Sequence, residues 1–412
     1  MRMLSGLPFV NPAPSLALAF AWTFSASPAG AEDWPNLRGP NHNGMSTETG
    51  WKSSGEFPVA WKAEVGLGHS AIVVAGGKAY TLGHNGKDTD TLWCFNAETG
   101  AEIWKHSYPH PLDDLYFPGG TTGTPTVDGD VVYSVARRGQ LFCLDAKTGS
   151  VKWQKHLTDD FGCKMPDWGF TGAPRVYGDL LLLNAGESGL ALKKSDGSLV
   201  WQSDEKTAAG YSVPQLFERE GKDLALFSNK DGYTCVDPTN GEVKWFYKHK
   251  TRYGVNATEP IVIGDQLFIA TGYGKGAALL NWGGTGDPEE IWRSRDLANQ
   301  MNPSLLIDGF LYGIHGDEGK DGSGLKCLVM ASGETKWLDE SVAHGAATAA
   351  DGKLIVITES GELQIGAASP DGFKPTFKQS VLSPKCWTIP VLANGRIYCR
   401  NSKGEIAVLD AR

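Results

Sequence analysis

The sequence predicts an all-β chain, an eight-bladed β-propeller of four-stranded antiparallel blades whose ring is closed by pairing the N- and C-terminal strands. Three observations predict it. A hairpin signature recurs along the chain, its terminal aromatic residues fall 40 to 49 residues apart, and the last copy stops halfway while an orphan half stands at the other end.

The signature is clearest from Leu141 to Trp153. Alternating apolar and polar residues lead to Thr148-Gly149, and a second short strand ends on an indole. Gly fits a three-residue hairpin loop because one position there is left-handed. The Trp carries a large apolar face and one N–H donor, so it must pack beyond its own hairpin. A lone hairpin cannot supply that surface. Copies run from Cys94 to Trp104, Ala191 to Trp201, Cys235 to Trp245 and Cys327 to Trp337. Two more are degraded: Gly286 is followed late by Trp292, and Gly372 by Phe377. Ala407–Ala411 stops before its turn, and Trp61, which has no hairpin before it, supplies the missing outer strand.

The elements follow in chain order. Residues 1–31 read as a secretory signal peptide, with Arg2 as the only charge, an apolar run from Leu16 to Phe24, and cleavage near Ala31. No Cys near that point offers a lipid attachment site, so a soluble monomer, periplasmic or extracellular and not membrane-spanning, is expected. Residues 32–54 are an irregular lead-in, because Asp33 to Pro40 is too rich in turn formers for a strand. Residues 55–412 form the propeller. The full chain's net charge of −9 gives no basic surface for nucleic acid.

Of seven cysteines, Cys94, Cys143, Cys235 and Cys327 share one repeat position, which Ala191 and Val408 fill elsewhere, so they read as packing residues. Among the remaining three, Cys163 with Cys386 is the one pairing entertained.

Loops entering the innermost strand of each blade crowd one mouth of a propeller, and function concentrates there. This places ten candidates at the channel mouth: Trp168, Glu187, Tyr211, Arg252, Asn256, Glu259, Tyr273, His315, His344 and Trp387. Arg252, Glu259 and the two histidines could bind an anionic or polyol ligand. Other motifs read as structure. Gly272–Gly276 is a turn, since no Ser or Thr follows its Lys. Asp317–Gly322 fails as an EF-hand because its third position is Gly319 and its twelfth Leu328. Asp113-Asp114 with Tyr116 is a surface loop. No residue is nominated as a metal ligand.

The spacing of Cys143, Asp145, Thr148, Gly149 and Trp153 resembles the tryptophan-docking repeat of pyrroloquinoline quinone (PQQ)-type propellers. The resemblance implies that Trp61, Trp104, Trp153, Trp201, Trp245, Trp292 and Trp337 dock blade on blade. It also implies two families of function. One is a non-catalytic scaffold like that of the outer-membrane β-barrel assembly machine, with a protein partner or small polar ligand at the mouth. The other is a PQQ- and Ca²⁺-dependent dehydrogenase of alcohols or sugars, in which Glu259 would be the base and Arg252 would polarise the quinone. The chain lacks the vicinal disulfide of such dehydrogenases and the lipid-acceptor Cys of the scaffold. The first family is preferred, with no cofactor expected. A third reading has Trp168, Tyr211, Tyr273 and Trp387 recognise a polysaccharide.

Overall fold

The computed structural model describes residues 32–114, 117–282 and 286–412. The expected leader, residues 1–31, and Tyr116 lie outside them. Eight sheets follow one another around a ring, six of them built from four consecutive antiparallel strands alone. Blade 1 spans Val73–Ala75, Lys78–His84, Thr89–Asn96 and Glu102–Pro109. Blade 8 takes three strands from the C-terminal end and its outermost from Val59–Glu64, with Val59 opposite Leu409 and Trp61 opposite Val408. The ring closes as the orphan Trp61 predicts. Both degraded copies still build four strands, because the late residues are absorbed before the outer strands Glu289–Ser294 and Pro375–Ser380. The one helical element among the described residues is a 3-10 turn, Glu340–Val342.

The repeat residues have distinct physical tasks. Asp145 Oδ1 accepts from the amide and hydroxyl of Thr148, which fixes the turn, and Gly149 takes φ 72°. That glycine also lies against the Trp104 ring of the preceding blade, where an added Cβ would stand 2.6 Å from the indole. The Trp104 N–H donates to Ala146 O in the same turn at 3.2 Å. Trp61, Trp153, Trp201, Trp292 and Trp337 donate likewise to Ala97, Lys194, Pro238, Met330 and Ser369. Trp245 breaks the pattern: Trp282 stands at the equivalent position, its ring 6.0 Å from that of Trp245, and the Trp245 N–H has no partner among the described residues. Most indoles stand across from a small residue of the third strand, as Cys94 faces Trp104 and Cys143 faces Trp153, whereas Trp292 faces Leu279. All seven cysteines are buried free thiols. Cys163 and Cys386 sit in separate core clusters and form no disulfide, because the blades that carry them are far apart around the ring.

The lead-in crosses the ring. Trp34, fully buried, exchanges backbone hydrogen bonds with Val74 of blade 1, and Pro35 O accepts from Val127 of blade 2. Arg38 then reaches Ser304 O of blade 6 at 3.1 Å. Met45–Ser46 adds a short parallel strand to blade 7, a pairing that the turn formers around it conceal in the sequence. Lys52 N finally reaches Ala411 O beside the closure strand.

Candidate functional site

The lead-in meets the ends of the innermost strands, so it stops one end of the channel. The blade-entering loops surround the other. Between them lies a cavity of about 260 Å³. Leu37 and Arg38 line its closed end, and Phe117, Trp168, Tyr211, Tyr273 and Trp387 supply aromatic walls. His69, Glu259, Gln300, Asn302 and Glu318 add polar groups.

Most of these side chains are held by a partner. Trp168 N donates to the Tyr211 hydroxyl at 3.3 Å, and burial pushes that phenol up to about 12. Tyr273 has φ 58°, a costly backbone for an aromatic residue, and Asp317 Oδ1 accepts its N–H at 2.7 Å. Gln300 Nε2 donates to the Tyr273 hydroxyl. His69 stacks on Trp387 with ring centroids 5.1 Å apart. Burial, helped by Arg400 and Lys385, lowers His69 to about 4, so the imidazole is neutral at neutral pH. Outer cations brace the same rings: Lys385 stands over Trp387 at 4.9 Å and pairs with Glu318, and Arg137 stands over Phe117 at 4.7 Å.

Two opposite charges face the closed end. Arg38 is buried and lowered to about 10 by that burial, with Glu259 opposing the shift. Its Nη2 donates to Asn43 O and Ser304 O. Glu259 is raised by burial, opposed by Arg38 and by the Val213 N–H that its Oε1 accepts at 3.0 Å.

Five of the ten candidates therefore share one cavity: Trp168, Tyr211, Glu259, Tyr273 and Trp387. The others do not line it. His344 packs edge-on behind Trp387 at 6.0 Å, where Glu359 accepts the Trp387 N–H. Asn256 is fully buried and spends its amide on Asn229 O and His249 O. His315 accepts from Ala298 N. Glu187 is half-buried, and its carbonyl accepts from Asn229. Arg252 is exposed, over the Tyr253 ring at 5.3 Å. Arg38, His69 and Phe117 were not singled out by sequence. For Arg38 a signal existed, a single cation inside the turn-former run Pro35 to Pro40.

Two other features compete for attention. A larger open cleft of about 630 Å³ lies between blades 7 and 8, but of its two acids Glu64 is exposed and Glu405 is spent on Ser383 and Asn401. In blade 1, His84, Asp90 and His110 bring potential metal-ligand atoms within 4.8 Å of one another. His84 Nδ1 accepts the Gly86 N–H and its Nε2–H donates to His110 O at 2.9 Å, so both ring nitrogens are engaged and none is left for a metal.

A Ca²⁺-PQQ site fits this cavity poorly. Calcium takes six to eight oxygen ligands. Here Glu318 is paired with Lys385, one Glu259 oxygen is taken by Val213, and Gln300 Oε1 accepts from Glu318 N. His69 stacks on Trp387 and Lys385 stands over the same ring, so that indole is already engaged by two side chains.

Among solved structures, BamB from Moraxella catarrhalis is similar at a TM-score of 0.62 and 14% identity, covering 86% of this chain and 100% of that one. Quinohemoprotein alcohol dehydrogenase from Comamonas testosteroni gives 0.68 and 14%, covering 92% and 81%. A europium-containing methanol dehydrogenase gives 0.68 and 13%, covering 92% and 98%. At these identities the likeness is one of fold. A search of curated proteins found no match. A family profile described as outer membrane protein assembly factor BamB matches residues 88–339, more than half of the chain, and the chain belongs to that family of PQQ-like repeat propellers.

Proposed function

We propose that the protein is an exported, non-catalytic binding propeller that holds a small ligand, or a side chain of a protein partner, in the cavity at the channel mouth. The observation that carries this reading is a pocket closed at one end by Leu37 and Arg38 and walled by five aromatic rings. Apolar walls with a few fixed polar groups are what a binding pocket needs. The catalytic alternative has less support, because Arg252 lies away from the cavity and the carboxylates that would hold calcium are engaged.

The test is titration of the purified protein with PQQ in calcium, followed by Trp fluorescence and dye-linked alcohol or aldose oxidation. The expected result is neither stoichiometric binding nor turnover. Beside it, sugars, amino acids and small carboxylic acids are screened by thermal shift. Hits should weaken about tenfold or more in Trp168→Ala or Trp387→Ala, the loss of an aromatic contact worth about 1.4 kcal/mol or more. Turnover with PQQ would replace this reading with the dehydrogenase.

A further inference from the structure

Glu48 is a carboxylate in an unusual position. It is 5% exposed and lies where the lead-in passes the turn between the first two strands of blade 8. Asn394 and Gly395 form that turn, both with positive φ, and both backbone N–H groups point at the Glu48 carboxylate. The third donor to it is the backbone nitrogen of Glu32, 3.2 Å from Oε1.

No cationic side chain pairs with Glu48 among the described residues. Burial raises it, the three backbone donors oppose that shift, and the Glu32 carboxylate nearby raises it further. A buried carboxylate with amide donors alone is an incomplete site, since buried charge is ordinarily matched by opposite charge.

Glu32 is also held firmly. Its carboxylate accepts from Ser46 Oγ, Thr47 N and Thr47 Oγ1, and its carbonyl accepts from Asn394 N. Its neighbour Asp33 ties Asn394 of blade 8 to Gly76 of blade 1. The nitrogen at position 32 is thereby fixed beside Glu48 by contacts that involve nothing before it.

We infer that Glu48 is a receptor for the α-ammonium group that cleavage between Ala31 and Glu32 creates, so that removal of the leader completes the ion pair that fastens the lead-in to blades 8 and 1. The inference rests on the exported reading and on that cleavage point. Hydrolysis of the peptide bond adds water, gives Ala31 a carboxylate and leaves Glu32 an amine, which takes a proton. An amide N–H at 3.2 Å becomes a charged donor in the same place, and charge-assisted bonds are roughly twice as strong as neutral ones. Before cleavage Glu48 has amide donors only. After it, Glu48 faces an opposite charge, and the net charge of Glu48 with residue 32 falls from −2 to −1.

The test begins with the full chain expressed in a secreting bacterial host and the exported protein's mass, which gives its first residue. Protein beginning at Glu32 is then compared with protein beginning at Ala31, each with wild-type Glu48 and with Glu48→Gln. The Glu32 form should melt about 1 to 3 °C higher in the wild-type background, and the difference should vanish in Glu48→Gln. Should the variant not fold, acylation of the α-amine at pH 7 supplies a second reading. It should be about tenfold slower for the Glu32 form, the effect of one unit in amine pKa. Exported protein beginning elsewhere overturns both the cleavage point and the inference. A Glu32 start with equal melting and equal acylation overturns the inference alone and leaves export standing.

Discussion

At the scale of single residues, the glycine of each Thr-Gly turn serves two masters. Gly149 needs a left-handed backbone and also leaves room for Trp104 of the neighbouring blade, whereas Gly129 needs only the backbone, at φ 55° with nothing within 4 Å of an added Cβ. Gly129→Ala should therefore cost about 1 to 2 kcal/mol from backbone strain alone. Gly149→Ala adds overpacking against an indole and should cost about 2 to 5 kcal/mol. Denaturant unfolding of the two variants checks this, and equal losses would remove the contact from the explanation. The backbone requirement of Gly149 is legible in the sequence, because Thr-Gly follows Asp145 at turn spacing. The cavity is less so. Tyr211 and Trp387 could be placed from the loops that carry them, but His69 and Phe117 precede no marker, and which of their faces meets the channel depends on packing across blades.

At the scale of the strand pair, every blade carries a register shift where its third strand meets its outer strand. In blade 2, Val151 faces Leu144 and Trp153 faces Cys143, which leaves Lys152 as the extra residue of a β-bulge. A bulge re-aims the side chains beyond it, and here it lets Trp153 reach Lys194 O of the next blade. The device cannot be read from the sequence, because one surplus residue between glycine and tryptophan looks like ordinary strand. Its consequence is specific. Lys152→Ala should change stability by about 0.5 kcal/mol or less, as for a surface site. Deleting Lys152 removes the bulge, slips the register by one and turns Trp153 to the wrong face, at a cost of roughly 3 kcal/mol or more. Thermal unfolding separates the two, and a deletion as mild as the substitution would show that the outer strand can re-register freely.

At the scale of the whole molecule, the ring has one seam, and the seam is made by residues from opposite ends of the chain. Trp61 lies across from Val408, donates to Ala97 O of blade 1, and packs on Phe95 and Tyr398, so one side chain joins blade 8 to blade 1. The lead-in is a second fastening. It lies across the ring and touches blades 1, 2, 6, 7 and 8 through backbone and side-chain hydrogen bonds, with Trp34 and Trp51 buried in the core beside blade 8. Deleting residues 55–61 strips the start of the outer strand of blade 8 and exposes the core behind it. The expected fall in melting temperature is roughly 10 °C or more. Trimming residues 32–50 leaves all eight four-stranded blades intact and should cost less, while removing Leu37 and Arg38 opens the closed end of the cavity. The two truncations therefore separate the two fastenings: the first should fail in thermal unfolding, and the second should stay folded and lose ligand binding. Equal melting temperatures would mean that the lead-in fastens the ring as strongly as the Trp61 strand does, and would refute closure by that strand alone.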